Sequence, residues 1–288
     1  MISALDHVAL VVRDLDAAVA GYETLLGRSA DWRGADGGAA HAWFQLENTA
    51  LDVIAPTGPG FTGDQVKARL DSHGEGLWAI AFAAPDIETA RRRLARRGVA
   101  STEARPVRST HPTDGRKRYW NTSVLNPVDA HGVTAFLIQE TDETRDWPRA
   151  GFAAAQGACA SGLDHVVIRT PNPERAAAFY GARLGLDMAL DRANPDWGAR
   201  LMFFRCGDLI VEVAHDMKAV VGEGPDSAWG LSWRTPDADA MRARLAAAGA
   251  NVSDVRVGRK PGTRVFTVRD APAGVPTIVV EPAKKPDA

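Results

Sequence analysis

Two cysteines, Cys159 and Cys206, are all that the 288 residues contain. They form no CxxC pair and no spacing of a zinc ribbon, which excludes a disulfide framework and a cysteine-based metal module. Both read as buried or inert thiols. No apolar run approaches the roughly 18 residues of a membrane span. No basic stretch precedes an apolar segment in MISALDHVAL, so a signal peptide is not expected and a cytoplasmic protein is. An excess of one charge is also missing: 34 basic residues against 36 acidic ones leave a net charge of -2. That balance excludes a general nucleic-acid or anionic-membrane binder, since both need a positive field. Neither GxSxG, HExxH nor GxGxxG occurs in strand-to-helix context. RRRLARR, from Arg91, reads as a solvated helix face, and GRKPGTRVF, from Gly258, as a hairpin turn.

What the chain does have is repetition. LDHVALVVRDLDAAVAGYETLLGR from Leu5 returns as LDHVVIRTPNPERAAAFYGARLGL from Leu163. His7 and His165 are 158 residues apart, and Gly27 and Gly185 keep the same offset. GLWAIAFAAPDIETARRRLARRGV from Gly76 likewise returns as AWGLSWRTPDADAMRARLAAAGA from Ala228, with Pro85 and Pro236 151 apart. Each copy is a short apolar strand, a polar break, an amphipathic helix and a glycine. Asp14, Asp86, Asn172 and Asp237 stand where an N-cap oxygen would accept the free N–H groups of the first turn. Gly27, Gly98, Gly185 and Gly249 stand where a helix ends in a left-handed residue. Ala176, Phe179, Tyr180 and Leu184 make one apolar stripe. Three strand-like runs follow each helix, so the chain reads as four βαβββ units.

The expected class is α+β, with tandem βαβββ modules forming two incomplete β-barrels. The expected divisions are an N-terminal domain at 1–140, a linker at 141–160, a C-terminal domain at 161–283 and a frayed tail at 284–288. Trp43, Trp78, Trp120, Trp229 and Trp233 fall in expected strands. Strand alternation sends Trp78 and Trp229 outside the barrel sheet, whereas Trp43 and Trp120 are candidates to line a cavity. His41, His73, His111 and His131 read as loop histidines in solvent. His215, three residues after Glu212, is expected on the opposite face of its strand, at the surface or behind the ligands.

On LDHVAL…LLG, LDHVVI…FYGARLGL and the paired units, the chain resembles the vicinal oxygen chelate superfamily, the group of glyoxalases, extradiol dioxygenases and bleomycin-resistance proteins. The resemblance covers nearly the whole chain and implies a ligand cavity with a divalent metal, Fe, Mn, Zn, Ni or Co. Family ligand positions on the first strands fall at His7, Ala79, His165 and Gly230. Those on the last strands fall at Asp52, Gln139 or its neighbour Glu140, Glu212 and Glu281. The implied metal set is His165, Glu212 and Glu281, with His7 in the other half. Glu281 or Glu212 would act as ligand or general base, and Trp43, Trp120 and Gln139 would meet substrate. The histidine pair of the extradiol dioxygenases is broken at Gly230, which has no side chain. The units could pair first with second and third with fourth, or first with fourth and second with third. The expected function is a metal-dependent lyase or isomerase, then a dioxygenase. The alternative is a metal-free protein that sequesters a small molecule. The expected partners are a small-molecule substrate and a second copy in a homodimer, with no nucleic acid or membrane.

Overall fold

A computed structural model describes residues 2–141, 151–152 and 154–284. The expected linker lies partly outside these residues, as does the expected tail beyond residue 284. The N-terminal half runs β1 (Ala4–Val11), α1 (Leu15–Leu26), β2 (Trp32–Asp36), β3 (Ala39–Gln45), β4 (Ala50–Pro56), α2 (Phe61–His73), β5 (Gly76–Ala83), α3 (Ile87–Arg96), β6 (Arg105–Thr110), β7 (Lys117–Val124) and β8 (Thr134–Glu140). The C-terminal half runs β9 (Gly162–Arg169), α4 (Pro173–Ala177), β10 (Asp187–Asn194), β11 (Ala199–Cys206), β12 (Leu209–Asp216), β13 (Ser227–Arg234), α5 (Ala238–Ala247), β14 (Arg256–Val257), β15 (Arg264–Val268) and β16 (Thr277–Glu281).

The helices start and stop for the local reasons read from the sequence. Asp14, Asp86, Asn172 and Asp237 each accept a hydrogen bond from the backbone N–H three residues on. Gly27, Gly98, Gly185 and Gly249 all have positive φ. In α4 the chain widens into a π-helical turn over Ala178–Arg183 and still buries Phe179 and Tyr180. The additional helix α2 has no side-chain cap. Its first N–H groups, from Thr62 and Gly63, instead bond the Gly37 carbonyl in the β2–β3 turn. A tertiary contact thus supplies the cap, which is why no N-cap residue announces this helix.

The first and second units pair with each other, and so do the third and fourth. Strands β1-β4-β3-β2-β6-β7-β8-β5 form a closed barrel, whereas β10-β11-β12-β9-β13-β16-β15-β14 form an open eight-stranded sheet. The expected α+β architecture of tandem modules is present, and one barrel is more complete than expected: the N-terminal one closes, through a seam of one residue pair between β2 and β6, Ala35 and Thr110. One continuous core backs both sheets and joins Tyr22 and Phe44 to Tyr180, Phe204 and Trp233. Across the join, the Asn48 side chain donates to the Leu163 carbonyl at 2.8 Å and accepts from the Leu163 N–H at 3.0 Å.

Two bulges decide which side chains face the barrel. In the β1–β5 ladder Leu10 pairs Leu77 and Ala9 pairs Ala79, so Trp78 is the extra residue. A bulge breaks the two-residue alternation. Trp78 consequently lines the barrel cavity and is not on the outside as expected. Trp229 is the equivalent extra residue in β13, partly exposed, with the Arg169 guanidinium 3.9 Å from its ring centre.

Candidate active site

The closed barrel contains a cavity of about 170 Å³. Its wall combines ionisable groups, among them Asp6, His7, Asp36, His41, Asp52, Arg105, Arg108, Arg118 and Glu140, with Trp43, Trp78, Trp120, Ile54 and Phe136. Trp43 and Trp120, the expected substrate contacts, are both in this lining.

A second pair of bulges builds the histidine site. Leu5 pairs Phe82 and His7 pairs Ala81, which leaves Asp6 as the extra residue of β1. The adjacent side chains then meet: Asp6 Oδ1 lies 2.6 Å from His7 Nδ1. An ionised carboxylate only accepts, so the neutral His7 ring carries its proton on Nδ1. Nε2 is left without a hydrogen-bond partner among the described residues. The ring packs 4.8 Å from that of Trp43.

His41 belongs to β3, not to a solvated loop as the sequence suggested. Trp43 is paired with Asp52 and His41 with Ile54, so His41 and Asp52 are diagonal neighbours on one face. Asp52 Oδ1 lies 2.8 Å from His41 Nδ1, and His41 Nε2 lies 2.5 Å from Ser109 Oγ on β6. Trp32 Nε1 donates to that same Oγ at 2.8 Å. With His41 neutral, its Nδ1–H goes to Asp52 and Nε2 accepts the Ser109 hydroxyl proton. The order Asp–His–Ser resembles a nucleophile relay. Ser109, however, is buried and outside the cavity lining, so no substrate carbonyl reaches it. The network holds Asp52 in the wall. It crosses β2 at Gly34, where any Cβ would overlap Ser109 Oγ.

Arg118 projects from β7 opposite Ser109. Its guanidinium carbon lies 4.7 Å from the Trp43 ring centre. Burial lowers its pKa, against the pull of Asp52, Asp6 and Glu140.

Of the residues expected in the metal set, His165 and Glu212 meet: His165 Nε2 lies 3.4 Å from Glu212 Oε2. Asp164 repeats the role of Asp6 as a bulged residue, 2.9 Å from His165 Nδ1. Burial raises the Glu212 carboxyl above its usual value, although His165 and Arg259 oppose the shift. Burial also works to raise Asp164, but the hydrogen bond and charge of His165, together with Arg234, outweigh it and leave its pKa lowered. Glu281 does not join them. Its Oε2 accepts the Ala238 N–H at 3.0 Å, at the start of α5, and lies 3.3 Å from Arg264. Gln139 is also turned away, donating to the Pro85 carbonyl at 3.1 Å, while its neighbour Glu140 lines the cavity. In the other half His7, Asp52 and Glu140 line the barrel cavity, with His7 held by Asp6 and Asp52 by His41, and the remaining family positions are Ala79 and Gly230. Among the described residues no three His, Cys, Asp or Glu side chains converge on a metal position. The residues expected to hold the divalent metal are therefore not gathered at one position. His215 is on the face of β12 opposite Glu212 as expected, but it is not at the surface: it is buried, 3.0 Å from the Thr170 carbonyl oxygen.

Sequence reasoning missed His41, Ser109, Gly34, Arg118 and the role of Asp6. Two-residue alternation within β3 (His41, Trp43) and within β7 (Arg118, Trp120) is the signal that could have found two of them.

Paired βαβββ units, here forming a closed barrel with a cavity and an open sheet, are the architecture of the vicinal oxygen chelate superfamily. Residues 5–160 match the family described as "Glyoxalase-like domain". Residues 164–267 match "Glyoxalase/Bleomycin resistance protein/Dioxygenase superfamily". The chain belongs to the glyoxalase-like domain family. Over 126 residues it is 31% identical to the ethylmalonyl-CoA/methylmalonyl-CoA epimerase of Cereibacter sphaeroides, covering 40% of this chain and 92% of that protein. Among solved structures, a mutant 4-hydroxymandelate synthase from Streptomyces coelicolor superposes with a TM-score of 0.69 at 15% identity, covering 99% of this chain and 94% of that one. The Mn(II)-bound glyoxalase from Novosphingobium aromaticivorans superposes with a TM-score of 0.65 at 16% identity, covering 99% and 84%. At these identities the two structures share a fold with this chain. No helix among the described residues is long and apolar enough to cross a membrane.

Proposed function

We propose that the protein is a small-molecule enzyme of the isomerase or lyase type, with its active site in the N-terminal domain, residues 1–140. One observation carries this reading: His7 faces the barrel cavity with Nδ1 held by Asp6 at 2.6 Å and Nε2 unengaged among the described residues. This is the arrangement of an oriented general base. In the proposed step Nε2 takes a proton from a carbon beside a carbonyl. The C–H bond breaks, an N–H bond forms, and the electron pair moves onto the carbonyl oxygen. Delivery of a proton to the opposite face of that carbon completes an isomerase reaction, and loss of a neighbouring leaving group completes a lyase reaction. Trp43 packs on the base and Phe136 lines the same cavity. The epimerase relative supports chemistry of this kind.

A divalent metal is not part of this reading, because the donors expected to hold it are divided among His165 with Glu212, the start of α5 and the other half of the chain. The second domain, residues 161–283, would support the barrel through the shared core. The apolar wall made by Trp78, Trp120 and Phe136 favours a second reading, a protein that binds a small molecule without changing it. Hydrogen–deuterium exchange at the α-carbon of a panel of thioesters and 2-oxo acids separates the two. Exchange that is catalysed and lost in His7→Gln supports the enzyme. Binding with no exchange for any compound supports the binding protein.

A further inference from the structure

We propose that the molecule taken up by the N-terminal barrel carries a carboxylate, and that Arg118 receives it. The inference rests on the barrel being the binding site. It adds the chemical class of the ligand.

The guanidinium of Arg118 is covered on one side by the Trp43 ring, whose centre is 4.7 Å from the guanidinium carbon. Stacking of this kind leaves the N–H edge of the plane for acceptors. Among the described residues that edge has no acceptor: Arg118 Nε is buried without a hydrogen-bond partner, and no carboxylate forms an ion pair with the side chain. A buried donor left unmade is costly, and more so when charged.

The acids near Arg118 do not fill this role: Asp6 is bound to His7 and Asp52 to His41, and Glu140, which lines the same cavity, forms no ion pair with Arg118. They contribute negative potential and no contact, which keeps Arg118 charged while its donors stay open. The geometry therefore selects among ligands. A cation would be drawn by Asp6 and Asp52 but would meet the guanidinium. A dianion such as phosphate would bring a second negative charge toward the carboxylates of Asp6, Asp52 and Glu140. A monocarboxylate brings one charge and two oxygens, which match the guanidinium fork in two parallel bonds. Its apolar body would lie against Trp120 and Phe136, which line the same cavity. Arg118 is a binding residue in this scheme, and His7 remains the base.

The test is calorimetric titration of the full chain with benzoate, benzamide and inorganic phosphate. Benzoate is expected to bind at least about tenfold more tightly than benzamide, the gain of charge-assisted bonds. Phosphate is expected to bind more weakly than benzoate. Arg118→Met is expected to remove the preference for benzoate and keep benzamide binding. Arg118→Lys retains the charge without the fork and is expected to recover part of the preference. If Arg118→Met does not fold, Arg118→Lys and Arg118→Gln make the same comparison. Equal affinity of the wild type for benzoate and benzamide would overturn the inference. So would a benzoate preference that survives Arg118→Met, or phosphate binding tighter than benzoate. His7→Gln separates this inference from the catalytic one, since it is expected to lose exchange and keep the preference for benzoate. Exchange that depends on His7 without a benzoate preference would overturn the role of Arg118 and leave the base in place.

Discussion

Asp6 and His7 are adjacent in sequence, yet their side chains meet at 2.6 Å because Asp6 is the extra residue of a bulge in β1. In a regular strand the two would point to opposite faces. The bulge turns a dipeptide into an oriented base. The same device recurs in the other half with Asp164 and His165. There the far nitrogen of the histidine meets Glu212 at 3.4 Å, whereas that of His7 meets no described group. That difference is why the chemistry is assigned to the closed barrel.

Replacing Asp6 by Asn keeps the size of the side chain and removes the obligatory acceptor. The amide can donate to Nδ1, which moves the ring proton to Nε2 and disables the base. The turnover of Asp6→Asn is expected to fall, by less than the ~10²–10⁴-fold loss of His7→Gln. Steady-state kinetics of the two variants checks the order, and an Asp6→Asn enzyme of wild-type rate would refute the role of Asp6.

Gly34 is required for space and not for backbone freedom, since Ser109, Trp32 and His41 occupy the volume a Cβ would take. Gly34→Ala is expected to lower unfolding free energy by about 1–3 kcal/mol, the usual cost of overpacking. Urea unfolding measures this, and an unchanged midpoint and slope would count against the network.

Glu212 predicts a pH dependence of stability. Burial raises its folded-state pKa above the usual 4.5, so between those two values the native state holds more protons than the unfolded chain. Stability contributed by the group therefore falls as pH rises through that window. Glu212→Gln removes the effect. The variant is expected to gain stability relative to wild type as pH rises above 4.5 and to show no gain below it. Parallel thermal melts from pH 3 to 8 would reveal a pH-independent difference if this is wrong.

Metal removal follows from where the donors lie. With Glu281 committed to the start of α5 and Gly230 without a side chain, a bound cation would have two protein ligands, His165 and Glu212. Dialysis against EDTA is expected to leave exchange activity unchanged. Loss of activity that returns with one stoichiometric metal ion would restore the metalloenzyme expectation.

Much of the fold was legible because its signals are local. Asp14 and Gly27 bracket α1 within one stretch of sequence, and the capping bond runs over three residues. The site was legible only where a residue keeps its face through simple alternation, as Trp43 and Trp120 do. Trp78 was misplaced because a bulge depends on the partner strand. His41 was missed because its partners, Asp52 and Ser109, are 11 and 68 residues away. Glu281 was taken for a ligand because its other use, the α5 N–H of Ala238, is 43 residues distant. Closure of the N-terminal barrel rests on a single pair, Ala35 with Thr110, which no pattern in either strand announces.

The most direct measurement is α-carbon hydrogen–deuterium exchange with three proteins side by side: wild type, His7→Gln and His165→Gln. The two histidines share the same bulge and the same carboxylate neighbour, so each controls for the other. The account predicts that His7→Gln loses exchange by about 10²-fold or more while His165→Gln retains it. Exchange lost in His165→Gln and kept in His7→Gln would contradict it, and would move the chemistry to the open sheet.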